Sequence, residues 1–402
     1  MRLEIAGRPH LTYCTNIHPG ETWPEVRRNL ERYVLHVKEN IAPSEPFGLG
    51  LRLSAGAAEA LCHQEELEAF RGFLDAYNLY VFTINGFPYG AFHGTRVKEQ
   101  VYLPDWRDEE RLTYTDNLAY LLARLLPPDP KVTGSISTIP GAFKPWIRSD
   151  EDIKRMVEII VRHVATLHRL HETTGRVITL ALEPEPHCFL ETIAETVLFF
   201  RDRLFEASAV DACSRLTGLS RPDSEQALRR HLGVCFDTCH AAVEFEDPVQ
   251  SVEALRSAGI QIAKAQLSAG LRIPKLTPLA LDALHAFNEE IYLHQVVERC
   301  NGVQASYLDL PDALSDLRGN VKPNCEWRVH FHVPIFLKNM GTFENTQDFL
   351  DRILEIQADN PFTDHLEVET YTWEVLPKGY LDMDIVSAIT RELTWVIQRM
   401  TK

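Results

Sequence analysis

The 402-residue chain predicts an α/β fold of the (β/α)8 TIM-barrel type. Three observations carry that expectation. Eight short apolar runs alternate with longer amphipathic stretches, which suits a closed barrel better than an open sheet. Polar residues gather where those runs end, and in a barrel the ends converge on one face. The Gly-x-Gly-x-x-Gly turn of a doubly wound nucleotide-binding sheet is missing after the first run.

Strands are predicted over Leu11–Ile17, Gly48–Leu53, Leu79–Ile84, Val132–Thr138, Val177–Glu183, Leu232–Asp237, Ile260–Leu267 and His365–Thr370, each an apolar run short enough for a strand buried on both faces. Helical periodicity fills the intervals: Trp23–Asn40, Ala57–Tyr77, Arg111–Leu126, Glu151–Thr173, Glu191–Glu206, Val249–Ser257 and Thr342–Ile356. Asp384–Met400 follows the last strand. Two segments break the alternation. Residues 86–107 are rich in glycine and aromatics, and residues 269–327 form a longer excursion with helical patterns near Leu279–Arg299 and Asp312–Leu317. Insertions of this length at the functional end of a barrel serve as lids or substrate walls. No shift in composition divides the chain, so residues 1–402 are expected to form one domain with long active-face insertions.

Composition limits the function classes. Hydrophobic residues make up 45% and charged residues 24%, as in ordinary globular proteins. The balance of 57 acidic against 41 basic residues gives a net charge of −16, which disfavours nucleic acid as a partner. It suits an enzyme for small molecules. The first residues lack the apolar core of a signal peptide, and no segment approaches eighteen uninterrupted apolar residues, so a cytoplasmic location without a membrane span is expected. Eight cysteines without a Cys-x-x-Cys pair predict neither a disulfide framework nor a zinc ribbon. Cys14, Cys235 and Cys239 read as small buried hydrophobes.

Candidate functional residues lie at strand ends. The run Val177–Leu182 ends in Glu183-Pro184-Glu185-Pro186, where proline restricts the direction of each carboxylate. Leu232–Phe236 ends in Asp237-x-x-His240, which turns two metal-capable groups into one space. Lys264 and Gln266 share a face of the seventh strand; the amide offers an oxygen to a hard cation, the ammonium a contact for an anion. Glu367 and Glu369 share a face of the eighth, and Glu369, nearer the end, is the better ligand. His330 and His332 alternate on one side of an extended segment. His18, Asn85 and His93 stand at further loop corners and are read, with Glu185, His240, Lys264, His330 and His332, as substrate contacts. His163, His168 and His171, among charged neighbours on a helix, read as solvated surface.

Carboxylates with an amide or imidazole around Mg2+, Mn2+, Co2+ or Zn2+ leave coordination positions for neighbouring sugar oxygens. A glutamate beside such an ion can remove a proton next to a polarised carbonyl, and reprotonation elsewhere gives isomerisation or epimerisation. The expected ligands are Glu183, Asp237, Gln266 and Glu369.

The series Glu183, Asp237-x-x-His240, Gln266 and Glu369 resembles the xylose-isomerase-like TIM-barrel superfamily, which includes sugar and sugar-phosphate isomerases, epimerases and endonucleases of the apurinic, endonuclease IV type. The stretches Leu11–Glu21, Phe82–Gly90, Gly134–Gly141, Leu182–Pro186 and Glu369–Trp373 resemble, more narrowly, the EboE family of metabolite-traffic proteins. The superfamily resemblance implies a divalent-metal site at Glu183, Asp237 and Glu369, with Glu183 and Glu369 flanking the substrate as acid and base. Gln266 stands where the pattern usually has histidine. The narrower resemblance implies a role in processing or moving a secondary-metabolite precursor. Two alternatives stay open: a metal-dependent phosphoesterase, for which the histidines speak, and a metabolite-binding protein that keeps the barrel without the reaction.

Overall fold

In a computed structural model of the chain, all residues are described except 92, 95, 318–323, 378–382 and 402. The strands, in chain order, are β1 (His10–Tyr13), β2 (Phe47–Arg52), β3 (Leu79–Asn85), β4 (Gly134–Thr138), β5 (Ile178–Leu182), β6 (Leu232–Asp237), β7 (Gln261–Leu267), β8 (Gly270–Ile273), β9 (Val296–Cys300), β10 (Val303–Tyr307), β11 (Cys325–His332), β12 (Asn339–Met340), β13 (Phe343–Asn345) and β14 (His365–Val368). Eight of them form one parallel sheet in the order β1-β14-β7-β6-β5-β4-β3-β2, with helices between successive strands. This is the expected TIM barrel. Its strands β1, β2, β4, β5, β6 and β14 are buried along their whole length.

The barrel closes between β1 and β2 through side chains as much as backbone. Thr12 Oγ1 donates to the Gly48 carbonyl at 2.7 Å and accepts from Gly50 N at 3.2 Å, beside a single parallel bridge from Cys14 to Gly50. Glycine is required at position 50, because a Cβ there would lie 1.9 Å from Glu367 Oε1 and 2.7 Å from the Tyr13 carbonyl.

The helix Asp150–Thr174 starts at a Ser149–Asp152 capping box and stops at Gly175, whose φ of 70° suits glycine. It overturns one expectation. His163 is fully buried with Nδ1 2.6 Å from Asp116 Oδ1, and His168 is also buried, while only His171 is half-exposed. The charged neighbours had marked this face as solvent; helical spacing from Met156 and Ile160 instead puts His163 on the apolar stripe.

The second excursion also differs from its expected form. It opens an antiparallel sheet ordered β10-β9-β11-β8-β13-β12 that runs on past residue 327 through β11, β12 and β13, and helix near residue 279 is confined to Pro278–Leu284 and one 3-10 turn, His285–Phe287. Val296–Cys300 is a strand, held by β10 on one side and β11 on the other. Cys300 and Cys325 face one another in the β9–β11 register and form a disulfide, which the cysteine spacing had not predicted. Beyond Trp327, β11 runs back toward the barrel mouth and brings His330 and His332 with it.

Candidate metal centre and active site

Three carboxylates from three strand ends meet at the mouth. Glu183 follows β5, with its backbone N–H donating to the Thr138 carbonyl at 3.1 Å. Asp237 ends β6 and caps the short helix Thr238–Val243: its Oδ1 accepts from His240 N at 2.9 Å and from Ser268 Oγ at 2.8 Å. Glu369 follows β14, and its Oε1 accepts from Asn16 Nδ2 at 2.7 Å and Asn85 Nδ2 at 3.0 Å. One oxygen from each of Glu183, Asp237 and Glu369 lies within 4.8 Å of the other two. All three residues are buried, and Glu183 Oε2 and Asp237 Oδ2 have no hydrogen-bonding partner among the described residues.

Such a grouping is unfavourable for the protein alone. Burial, followed by the neighbouring carboxylates, holds Glu183 and Glu369 well above the usual carboxylate range. Buried anions persist when they are paired or bind a cation. Oxygen-rich donors with outward-turned lone pairs fit a hard divalent ion. His332 adds a further donor: Nδ1 donates to the Glu369 carbonyl at 2.7 Å, which leaves Nε2, without a hydrogen-bonding partner, as the lone-pair nitrogen. Donor atoms of Asp237, His240 and His332 also fall within 4.8 Å of one another.

A second grouping joins Glu185, His240 and His330. His240 Nδ1 donates to the Pro184 carbonyl at 2.9 Å, and His330 Nδ1 faces Gln295 Oε1 at 2.7 Å. Gln295 Nε2 donates to Tyr102 Oη and the Pro186 carbonyl, which fixes the orientation of that amide. Both imidazoles therefore carry their proton on Nδ1, and their Nε2 atoms face one another at 3.0 Å. Burial pushes both rings well below the ordinary histidine range, so neither supplies a bridging proton. Two nitrogens each about 2 Å from one cation sit roughly 3 Å apart, so this pair matches shared coordination. Glu185, raised to about 8 by burial against the opposing hydrogen bond from Tyr102, stands beside them.

The cavity above these groups is floored by Asn16, Asn85, Glu183, Glu185, His240, His330 and Glu369. Asp237 and His332 lie behind that floor. Four other sequence candidates do not reach the cavity wall. Lys264 is fully buried in an ion pair with Glu367, two residues below Gln266 on β7. Gln266 is also fully buried; its Oε1 accepts from Cys235 Sγ at 3.2 Å, and its Nε2 has no hydrogen-bonding partner among the described residues. His18 bonds Tyr13 Oη at 3.0 Å and stacks on Tyr33. His93 donates to the Asn16 carbonyl at 2.5 Å and contacts Tyr292 Oη at 3.0 Å, bracing the rim. Tyr102, Tyr292, Tyr371 and Gln295 were missed. The aromatic richness of residues 86–107 hinted at Tyr102, whereas nothing in the sequence marks Gln295.

No protein-family model and no curated relative matches the chain. Among solved structures, a xylose isomerase-like TIM-barrel protein from Mycobacterium smegmatis in complex with magnesium is similar at TM-score 0.50 and 12% identity, over 99% of this chain and 99% of that one. A D-psicose 3-epimerase with D-tagatose from Clostridium cellulolyticum H10 gives TM-score 0.48 at 12% identity, over 98% of each chain. The IOLI protein with a binding zinc atom gives the same TM-score, identity and coverage. The first of these likenesses shows the fold, a TIM barrel.

Proposed function

We propose that this protein is a divalent-metal-dependent isomerase or epimerase of sugars or polyols. The observation that carries the reading is the buried trio Glu183, Asp237 and Glu369, with one oxygen of each within 4.8 Å of the others at the mouth of the barrel. These three residues would hold the cation, and His332, rather than Gln266, would be the fourth donor. Its unpaired Nε2 supports that choice, as does the Cys235 thiol occupying the Gln266 oxygen. A carboxylate-rich set favours Mn2+ or Mg2+ over Co2+ or Zn2+. When bound, the cation would polarise the substrate carbonyl and spread the negative charge of the enediolate.

The chain's own residues handle the proton. The ionised member of the Glu183–Glu369 pair takes a proton from the carbon next to the carbonyl, and the C–H electron pair moves toward the carbonyl oxygen. That carboxyl then returns the proton to the adjacent carbon, or the other member, having taken a proton from solvent, delivers one to the opposite face. Asn16 and Asn85 hold Glu369 in position. The inserted sheet and the barrel work as one unit in this reading, because β11 supplies His330 and His332. The motif resemblance to the EboE family supports placing the reaction in the processing or traffic of a secondary-metabolite precursor.

The test is wash-in of deuterium from D2O at substrate carbon, with Mn2+-loaded protein and a panel of ketoses, aldoses and cyclitols. Exchange is expected, and Glu183→Gln or Glu369→Gln should lower its rate by a factor of about 10²–10⁴. A stoichiometric metal with no exchange anywhere in the panel would leave a metabolite-binding protein. The facing Nε2 atoms of His240 and His330 favour one second reading, a phosphoesterase with two cations. Two equivalents of metal together with cleavage of bis(p-nitrophenyl) phosphate would select it.

A further inference from the structure

The walls above the polar floor point to the kind of molecule that enters. They are built from Phe87, Val97, Val101, Tyr102, Leu293 and Tyr371, with Tyr292 beside them. Val97 and Tyr292 form a small hydrophobic cluster of their own, apart from the main core, against which Val101, Ile291, Tyr371 and Val375 pack. Both insertions and the turn after β14 contribute, so this apolar collar is an assembled feature of the mouth. A polar floor beneath an apolar collar matches a ligand with a hydroxylated head and an apolar tail.

Charge argues in the same direction. Among the described residues, the only cation lining the cavity is Lys98, and its Nζ lies 2.7 Å from Asp309 Oδ2. The other candidates for reading a phosphate are committed elsewhere: Lys264 to Glu367, Lys144 to Glu191 and Glu195, and Arg52 to Glu21 and the Gly20 and Gly90 carbonyls. Barrel enzymes often place phosphate at the loops after the seventh and eighth strands. Here β7 leads directly into β8 of the second sheet, and β14 leads into the aromatic turn Tyr371–Glu374. A phosphate carries about −1.5 to −2 charges at neutral pH, and it would meet carboxylates without a compensating cation of the protein.

Resting on the isomerase or epimerase reading of the floor, we propose that the substrate is an uncharged aldo- or keto-sugar joined to an apolar group, and that sugar phosphates are excluded. Tyr102, Tyr292 and Tyr371 offer faces on which that group packs.

The test is calorimetric titration of the Mn2+-loaded protein with matched probes for several hexoses: the methyl glycoside, the phenyl glycoside and the 6-phosphate. For at least one hexose the phenyl glycoside should bind at least tenfold tighter than the methyl glycoside, and the phosphate at least tenfold weaker than either. Val101→Lys should narrow both gaps while leaving Mn2+ affinity unchanged. A phosphate that binds as tightly as the phenyl glycoside, or a panel in which no phenyl glycoside binds, overturns the inference. The two proposals fail separately. Phenyl-glycoside binding with no C–H exchange on any of the reducing ketoses and aldoses sinks the catalytic reading alone, and exchange confined to sugar phosphates sinks this one alone.

Discussion

At the scale of single residues, the decisive fact is that Glu183, Asp237 and Glu369 each turn an oxygen into the same buried space. Their roles differ with their hydrogen bonds. Asp237 Oδ1 is occupied by a backbone N–H and a hydroxyl, so its other oxygen is the one left to a cation. Glu369 is steered by two amides, and Glu183 has the loosest attachment of the three. The contrast between His332 and Gln266 gives a direct prediction. His332→Ala should weaken Mn2+ binding by at least about tenfold, in the range seen when groups supporting a metal are lost, whereas Gln266→Ala should change it less than threefold. Competition with a fluorescent chelator measures both, and equal losses would restore Gln266 as the fourth donor. The sequence marked the three carboxylates because each ends a buried apolar run, where a charge has no other reason to stand. It ranked Gln266 above His332 as a ligand because Gln266 lies on a barrel strand. The competing thiol of Cys235 and the long return of β11 are tertiary facts with no local signature.

At the scale of elements, the barrel strands were legible and the second sheet was not. Barrel strands are buried on both faces, so each reads as an apolar run; β10 is exposed along nearly all its length and carries no such signal. Pairing with β9 and β11 makes those residues strands, and that pairing is non-local. The disulfide follows from the same register, since Cys300 and Cys325 are far apart in sequence yet directly opposed. Closing a loop of 25 residues is worth about 3 kcal/mol in chain entropy. The Cys300→Ser/Cys325→Ser variant should therefore lose about that much stability in urea unfolding, with a further loss of metal affinity if β11 shifts its histidines. The β1–β2 seam gives a second prediction. Gly50→Ala drives a methyl into the Glu367 carboxylate and the Tyr13 carbonyl, and backbone cannot yield cheaply there. A loss of several kcal/mol, at least about 3, is expected. A variant as stable as the parent would mean that the seam opens without cost.

At the scale of the whole molecule, buried acids tie stability to pH. Among the described residues no helix is long and apolar enough to cross a membrane. Glu392 in the last helix, Ile385–Met400, is buried, with Oε1 accepting from Thr370 Oγ1 at 2.8 Å and Ile335 N at 3.2 Å. Burial raises it from 4.5 to about 8 despite those bonds, and Glu185 is raised to about 8 as well. The sign follows from proton binding. Below 4.5 these carboxyls are neutral in both states. Between 4.5 and about 8 the unfolded chain releases their protons while the folded chain keeps them, so unfolding is favoured as pH rises. Each group costs at most roughly 5 kcal/mol across that window, at about 1.4 kcal/mol per pH unit. Glu183 and Glu369 add to the slope in the same direction when no cation is bound. A bound cation reverses their share, because it favours the ionised carboxylates, whereas Glu392, not being one of the grouped donors, keeps its own. In EDTA, Tm should therefore fall from about pH 6.5 to pH 8, because below 6.5 the buried histidines, which the folded chain keeps neutral while the unfolded chain protonates them, oppose the acids. With Mn2+ the fall should be shallower, and Glu392→Gln should flatten it further and raise Tm at pH 8. Parallel curves with and without Mn2+ would show that no cation engages the trio at the barrel mouth.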